Sequence, residues 1–483
     1  MQSVVTAFFT YLSNAWLIVS IVLVIIDRRY GISDLWKRWF RKPSDLSFQN
    51  DCFAEDTIRY RFRNTLYDLN NCYEDWVFSR NIKEFNRPFD FDKFYSEPFY
   101  IPEYSRLAKN KCDEQLLSNF YDKYSCYTSN KEFMENAPFI DVEHAFYFYI
   151  LDKLKASLPT EAQRYMCDGT EGEFDPYKLQ KKKSIQKDIK RGIREIAGES
   201  SRILKGLDAV YKLSNNILED GCNKMDLTED LIVQSLNTNS YDLSQLRGMD
   251  WHETSKEKEL IRGAREFLDY LYLTKRGIKR TINYLVDNAG VEFFSDLVLG
   301  YALLSNSEMR IDKIIYHVNV LPIFVSDVIE SDLEYTFKIV RESIMADASL
   351  DKEKYLSALK LLEQMFDKDH PLAEIKPDFI WNMPTPYETI ERGKNVYQSS
   401  NDILIVKGDL NFRRLCHDKS WHYSKKLNDL TKYIKSPTLV VRSFKSNVIL
   451  DFSRDKVKQL TIKDRDWKTN GKYGVILFMK KEG

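Results

Sequence analysis

The sequence contains no G-x-G tripeptide, no G-x-x-x-x-G-K run and no G-x-S-x-G elbow. The first absence argues against a dinucleotide loop and against the commonest glycine-rich S-adenosylmethionine loop; the others remove a P-loop and an α/β-hydrolase nucleophile. Seven cysteines, at 52, 72, 112, 126, 167, 222 and 416, form no C-x-x-C pair, and the six histidines form no H-x-x-x-H pair. A thiol or imidazole metal site therefore has no local signature. The lack of an N-x-[ST] sequon and the scattered cysteines favour a reducing, cytoplasmic environment for the body of the chain. Net charge is absent too, with 72 Lys plus Arg against 72 Asp plus Glu. No bulk field draws nucleic acid, so no nucleic-acid partner is expected, and any basic site must be local. The D-x-D tripeptides at Asp90/Asp92, Asp367/Asp369 and Asp464/Asp466 lie away from predicted strands and lack the residue that completes an aspartyl-phosphatase motif.

What is present is a chain of 483 residues with 43% apolar and 14% aromatic content, enough for two domains or one large one. Residues 4–26 run without a charge and are followed by Arg28, Arg29, Lys37, Arg38, Arg41 and Lys42. At about 1.5 Å per residue such a run matches a hydrocarbon core of roughly 30 Å. It reads as a single membrane anchor that leaves the body cytoplasmic by the positive-inside rule, or as a buried or partner-facing helix. Residues 1–45 are taken as this run and its basic flank.

Residues 46–275 read as a helical domain. Ile185, Ile189, Ile193 and Ile196 recur at helical spacing among lysines and arginines, marking an amphipathic helix whose charges form a solvated face. Another helical pattern covers 256–275. In residues 276–483, short β-rich runs alternate with helices: RTINYLV, DKIIYHVNV, PIFV, DILIV, TLVV and GVILFM. That alternation predicts an α/β fold with a doubly wound, mostly parallel sheet in a Rossmann-like three-layer core, preceded by the all-helical domain.

In such sheets ligands sit beyond the carboxyl ends of the strands, and the polar clusters fall there. Asp287 and Asn288 follow the first run, and Asp327 follows PIFV. Each alone reads equally as a helix cap. Together they offer two carboxylates and an amide carbonyl, hard oxygen donors suited to Mg²⁺ or Mn²⁺ rather than zinc. Lys407 and Arg413 can hold phosphate oxygens, with Lys445 a further cation, while Asp409 and Asn411 can bind a hydroxyl or position a water. The N-terminus of the helix at 291 adds backbone N–H groups.

The motifs VDNAGVEFFSDLVLGYALL, LPIFVSDV, WNMPTPYETI, DILIVKGDLNFRRL and RSFK resemble, in order and spacing, the metal-dependent damage-control phosphatase family. HAFYFYIL and DPYKLQKKKSI upstream resemble its aromatic helix and D-P-F-x-x-Q-K segment. The resemblance implies a metal held by Asp287, Asn288 and Asp327, with Mn²⁺ or Mg²⁺ expected and Co²⁺ or Ni²⁺ as further candidates. It makes Glu292 an acid near the substrate, Asp409, Asn411 and Arg413 a substrate loop, and Lys445, in a serine variant of R-T-x-K, a substrate contact. Asn319 and Ile323 depart from the usual Lys and Trp. The expected reaction is hydrolysis of phosphate monoesters of small metabolites such as fructose phosphates, with Asp287, Asp327 and Asp409 as catalytic carboxylates. A covalent aspartyl phosphate on Asp287 or Asp409 stays open. Two other readings stand beside it, S-adenosylmethionine-dependent protein-glutamate methylation and a membrane-tethered, non-catalytic interaction protein.

Overall fold

The computed structural model describes residues 44–481, apart from 48, 50, 81, 83–87, 170–172, 194–200, 219–222, 240–258, 275–278 and 391–394. The apolar run at 4–26 lies outside the described residues. Among those residues no helix is long and apolar enough to cross a membrane.

The principal helices and strands follow in chain order. α1 (Cys52–Asp56) passes through a π-helical turn (Thr57–Arg61) into α2 (Phe62–Ser79). Then come α3 (Phe139–Ser157), α4 (Lys178–Ile193), α5 (Arg202–Asn215) and α6 (Lys224–Asn239). The strands start with β1 (Glu259–Arg262), followed by α7 (Ala264–Leu273), β2 (Arg280–Leu285), α8 (Val291–Ser305) and β3 (Ile311–Val318). α9 (Asp332–Ala346), α10 (Lys352–Gln364), β4 (Ala373–Pro377), β5 (Ile403–Lys407), α11 (Asp409–Leu415), β6 (Thr438–Ser443) and β7 (Gly474–Met479) complete the set.

The seven strands form one sheet in the order β1-β7-β6-β5-β2-β3-β4, parallel at every junction except β6–β7. The predicted α/β class holds, and its physical basis is visible in β5. Ile403 and Ile405 join one core cluster while Leu404 and Val406 join the other, so the strand is apolar at every position because both faces are covered. Helices α6 and α8 cover one face, with α5 packed on α8, while the aromatic-rich N-terminal helices and α3 share the core of the other. α3 is apolar nearly all round and is buried accordingly.

Three expectations need correction. The stretch before 275 is not helical throughout: α6 packs on β6 and β7, and β1 belongs to the sheet. ELIR, taken as part of a helix, is a strand that pairs in parallel with β7. PIFV is not a strand but a loop that leads into a turn at Val325 and Ser326, and Asp327 meets the β2 exit through an isolated antiparallel bridge to Asn288. β4 escaped the sequence reading because its half-polar AEIKP lies at the sheet edge.

Candidate functional site

A cavity of about 70 Å³ opens at the carboxyl ends of β2, β5 and β6. Its lining includes Asp287, Asn288, Asp327, Asp409, Arg413 and Lys445, six of the residues singled out from the sequence. The N-terminal helices supply an opposing wall of Phe53, Arg61 and Glu143.

Asp287 ends the β2 exit. Its Oδ2 accepts from Asn239 Nδ2 and Asn288 Nδ2, both at 2.8 Å. Asn288 also donates to Glu292 Oε2 at 2.8 Å and accepts from Ser326 Oγ at 2.5 Å. Its backbone bridge to Asp327, with Ala289 N donating to Ser326 O at 2.6 Å, seats the 326–327 loop beside it. Asp327 Oδ2 accepts from Phe324 N at 3.1 Å. Burial pushes the Asp327 carboxyl up to about 7, against the smaller opposing effects of Phe324 N–H, Asn319, Lys181 and Ile323 N–H.

Lys181, from the DPYKLQKKK segment, fixes this loop from behind. Its buried ammonium donates to Asp327 O at 2.7 Å, Asp332 Oδ2 at 2.7 Å and Asp175 Oδ2 at 2.8 Å. Gly290, at φ 76°, packs so closely on α4 that a Cβ there would lie 2.5 Å from Ser184 Oγ. The first turn of α8 is therefore buried against α4.

On the β5 side, Gly408 adopts φ 88°, ψ 169°, a region essentially restricted to glycine. This turn starts α11 and brings the backbone against Asp287, whose carboxyl a Cβ at 408 would strike. Gly408→Ala should therefore cost about 1–3 kcal/mol in backbone strain alone. It should also displace Asp287, with turnover falling about 100-fold for a shift near 1 Å. A denaturation curve and a turnover measurement on the same sample test this, and unchanged values for both would contradict the close approach.

Asp409 is held by Arg442, whose Nε and Nη2 reach Oδ1 at 2.8 and 2.6 Å, and by Ser446 Oγ and Lys445 N at 3.1 and 3.2 Å. Burial alone would raise this carboxyl, but Arg442 and Arg413 outweigh it and keep Asp409 below the ordinary carboxylate range. All these donors fall on Oδ1, so Oδ2 keeps its acceptor capacity. Arg413 is itself clamped. Nε and Nη2 donate to Asp418 at 2.8 and 2.9 Å, and Nη1 to Glu143 Oε2 at 2.5 Å. A guanidinium has five N–H donors, of which these bonds use three, and Arg413 lines the cavity.

Three predicted residues lie around the cavity rather than on its wall. Lys407 is fully buried, and Nζ contacts Ser235 O, Ser235 Oγ, Glu292 and Asp296 at 2.7, 2.8, 3.1 and 3.2 Å. It serves as counter-charge to two buried acids beneath the site. Glu292 accepts from Asn239, Asn288 and Lys407. Asn411 donates to Val286 O and Lys407 O, tying the β2 exit to the β5 exit, and accepts from Tyr387.

The donor set fits a hard divalent cation: two carboxylates and an amide oxygen from adjacent segments share one cavity. Among the described residues there is no cluster of three or more His, Cys, Asp or Glu in metal-binding reach.

The model of the damage-control phosphatase ARMT1-like domain matches residues 103–460. The chain belongs to that family. Curated relatives named damage-control phosphatase ARMT1 agree. The zebrafish (Danio rerio) protein is 30% identical over 201 residues, 41% of this chain and 42% of that protein. The Xenopus tropicalis protein is 24% identical over 297 residues, 55% of this chain and 62% of that protein. The human protein is 26% identical over 213 residues, 42% of this chain and 45% of that protein. The matches thus span less than two thirds of these relatives.

Within this damage-control phosphatase fold several site residues were not legible in the sequence. Glu143 had one available signal, an acid directly before the apolar run HAFYFYIL, where burial demands a partner. Arg61 and Asn239 had none, since neither lies in a strand-end motif.

Proposed function

We propose that the chain is a metal-dependent phosphomonoesterase acting on small phosphorylated metabolites, sugar phosphates such as fructose phosphates included. The observation that carries this reading is the shared cavity, with hard oxygen donors on one side and Arg413 and Lys445 on the other. Asp287, Asn288 and Asp327 would hold Mn²⁺ or Mg²⁺, with Co²⁺ or Ni²⁺ as substitutes. Bound there, the ion would polarise a phosphoryl oxygen and acidify a water.

The remaining steps belong to the chain's own side chains. Lys445 and the two remaining N–H groups of Arg413 neutralise charge on the transferred group. Asp409, ionised and anchored through Oδ1, orients the attacking water or the sugar hydroxyl through Oδ2. Asp287 Oδ2 is committed to two amide donors, which supports a ligand role over that of nucleophile. The wall of Phe53, Arg61 and Glu143 faces the rest of the substrate. Assay of a panel of sugar phosphates with Mn²⁺, Mg²⁺, Co²⁺ and Ni²⁺ tests the reading. Release of phosphate from at least one sugar phosphate with one of these metals is expected, and no release with any metal would overturn it.

Metal affinity should depend on pH with a definite sign. Asp327 holds a proton below about 7, and a cation must displace it. Binding should be about tenfold weaker at pH 6 than at pH 8. In the metal-free protein the same raised value adds stability at low pH that is lost as pH rises through about 7. Calorimetric Mn²⁺ titrations at the two pH values measure this, and equal affinities would remove Asp327 from the ligand set.

A further inference from the structure

We propose that Asn239, at the end of α6, is a positioning residue that sets the geometry of the metal donors. The inference rests on the metal reading above. Asn239 is fully buried, and every hydrogen-bonding position of its amide points at a different part of the site. One N–H goes to Asp287 Oδ2 and the other to Glu292 Oε1, both at 2.8 Å. Its Oδ1 accepts from Ser443 N at 2.8 Å, at the β6 exit two residues before Lys445.

The partners fix the amide's orientation, because carboxylates only accept and a backbone N–H only donates. An aspartate in this position would present an acceptor to two acids. A hydrophobe would leave two carboxylates and an N–H short of a partner inside the protein, so the chemistry requires an amide.

The consequence for Asp287 is specific. Asn239 and Asn288 both donate to Oδ2, so two amides from different elements restrain where this carboxylate can present itself to the cation. The Asn239 amide ties that carboxylate to the strand end from which Lys445 follows, so it sets the separation between metal donor and phosphate contact.

Outer residues of this kind cost about 10–100-fold in metal affinity when removed. Mn²⁺ binding to the full chain, followed by electron paramagnetic resonance and calorimetry, should weaken by that factor in Asn239→Ala. Leu236→Ala provides the control. It removes from the same helix a buried apolar side chain that packs over Gly474 and offers no hydrogen bond. This variant should lose melting temperature while its Mn²⁺ affinity stays within about twofold of wild type. Should Asn239→Ala fail to fold, Asn239→Ser, whose hydroxyl can donate to only one acid, should still bind Mn²⁺ more weakly than wild type.

Wild-type affinity in a folded Asn239 variant, or an equal loss in Leu236→Ala, would overturn the role given to Asn239. A wild-type protein that binds no Mn²⁺ would instead remove the metal assignment of Asp287, and this inference with it.

Discussion

Replacing Arg413 by methionine is expected to destabilise the protein by about 3–5 kcal/mol at pH 8, the cost of stripping the partner from a buried charge. The side chain is nearly inaccessible, and it neutralises both Asp418 and Glu143. Two features make the site depend on this one cation. Asp418 is folded back onto it by a left-handed turn, with φ 65° at His417 and 47° at Asp418. Glu143 comes from α3, on the opposite side of the cavity. Without the guanidinium Glu143, whose carboxyl burial already pushes up, must protonate or draw in water. The loss should therefore shrink at pH 5, where protonation relieves it. Urea denaturation at both pH values provides the test. A loss below about 1 kcal/mol at pH 8 would mean that the two acids are solvated and that Arg413 is available to substrate alone.

The second large effect is on chemistry. Asp287→Ala should reduce metal-dependent phosphate release by at least about a thousandfold, roughly 4 kcal/mol of barrier. The fold should survive, because Asp287 lines the cavity, where water can take the place of its carboxylate, and Asn239 and Asn288 each keep their second N–H on Glu292. An unchanged melting temperature and circular dichroism spectrum, together with lost turnover, is the expected combination. Full turnover with Mn²⁺ would displace the metal site from the β2 exit.

The strand-end chemistry was legible in the sequence because a parallel sheet puts polar residues directly after apolar runs. VDNAG and LIVKGDLNFRRL announced Asp287, Asn288, Asp409 and Arg413 in this way, and all four line one cavity. The direction each side chain takes was not legible. Lys407 is the last residue of β5, and its position on the pleat sends it toward Asp296 and Ser235 beneath the site. Lys445 follows the end of β6 and reaches the cavity instead.

The opposing wall was hidden for another reason. Phe53, Arg61 and Glu143 are separated from the strand-end motifs by more than 140 residues of chain, and Arg61 ends a π-helical turn that has no sequence signature. Such turns are frequent at functional sites, and this one presents Arg61 to the cavity. The packing of α6 on the sheet and of α5 on α8 was likewise missed. Their apolar stripes read as those of any amphipathic helix and do not say whether the partner is another helix or a sheet.

The central claim is that Asp287, Asn288 and Asp327 hold a divalent cation on which phosphate release depends. It is tested most directly by stripping the wild-type protein with a chelator, then returning Mn²⁺ stepwise while following phosphate release from a sugar phosphate. Activity that vanishes on stripping and returns in proportion to one bound Mn²⁺ per chain is the predicted result. Phosphate release that persists in the stripped protein would contradict the claim.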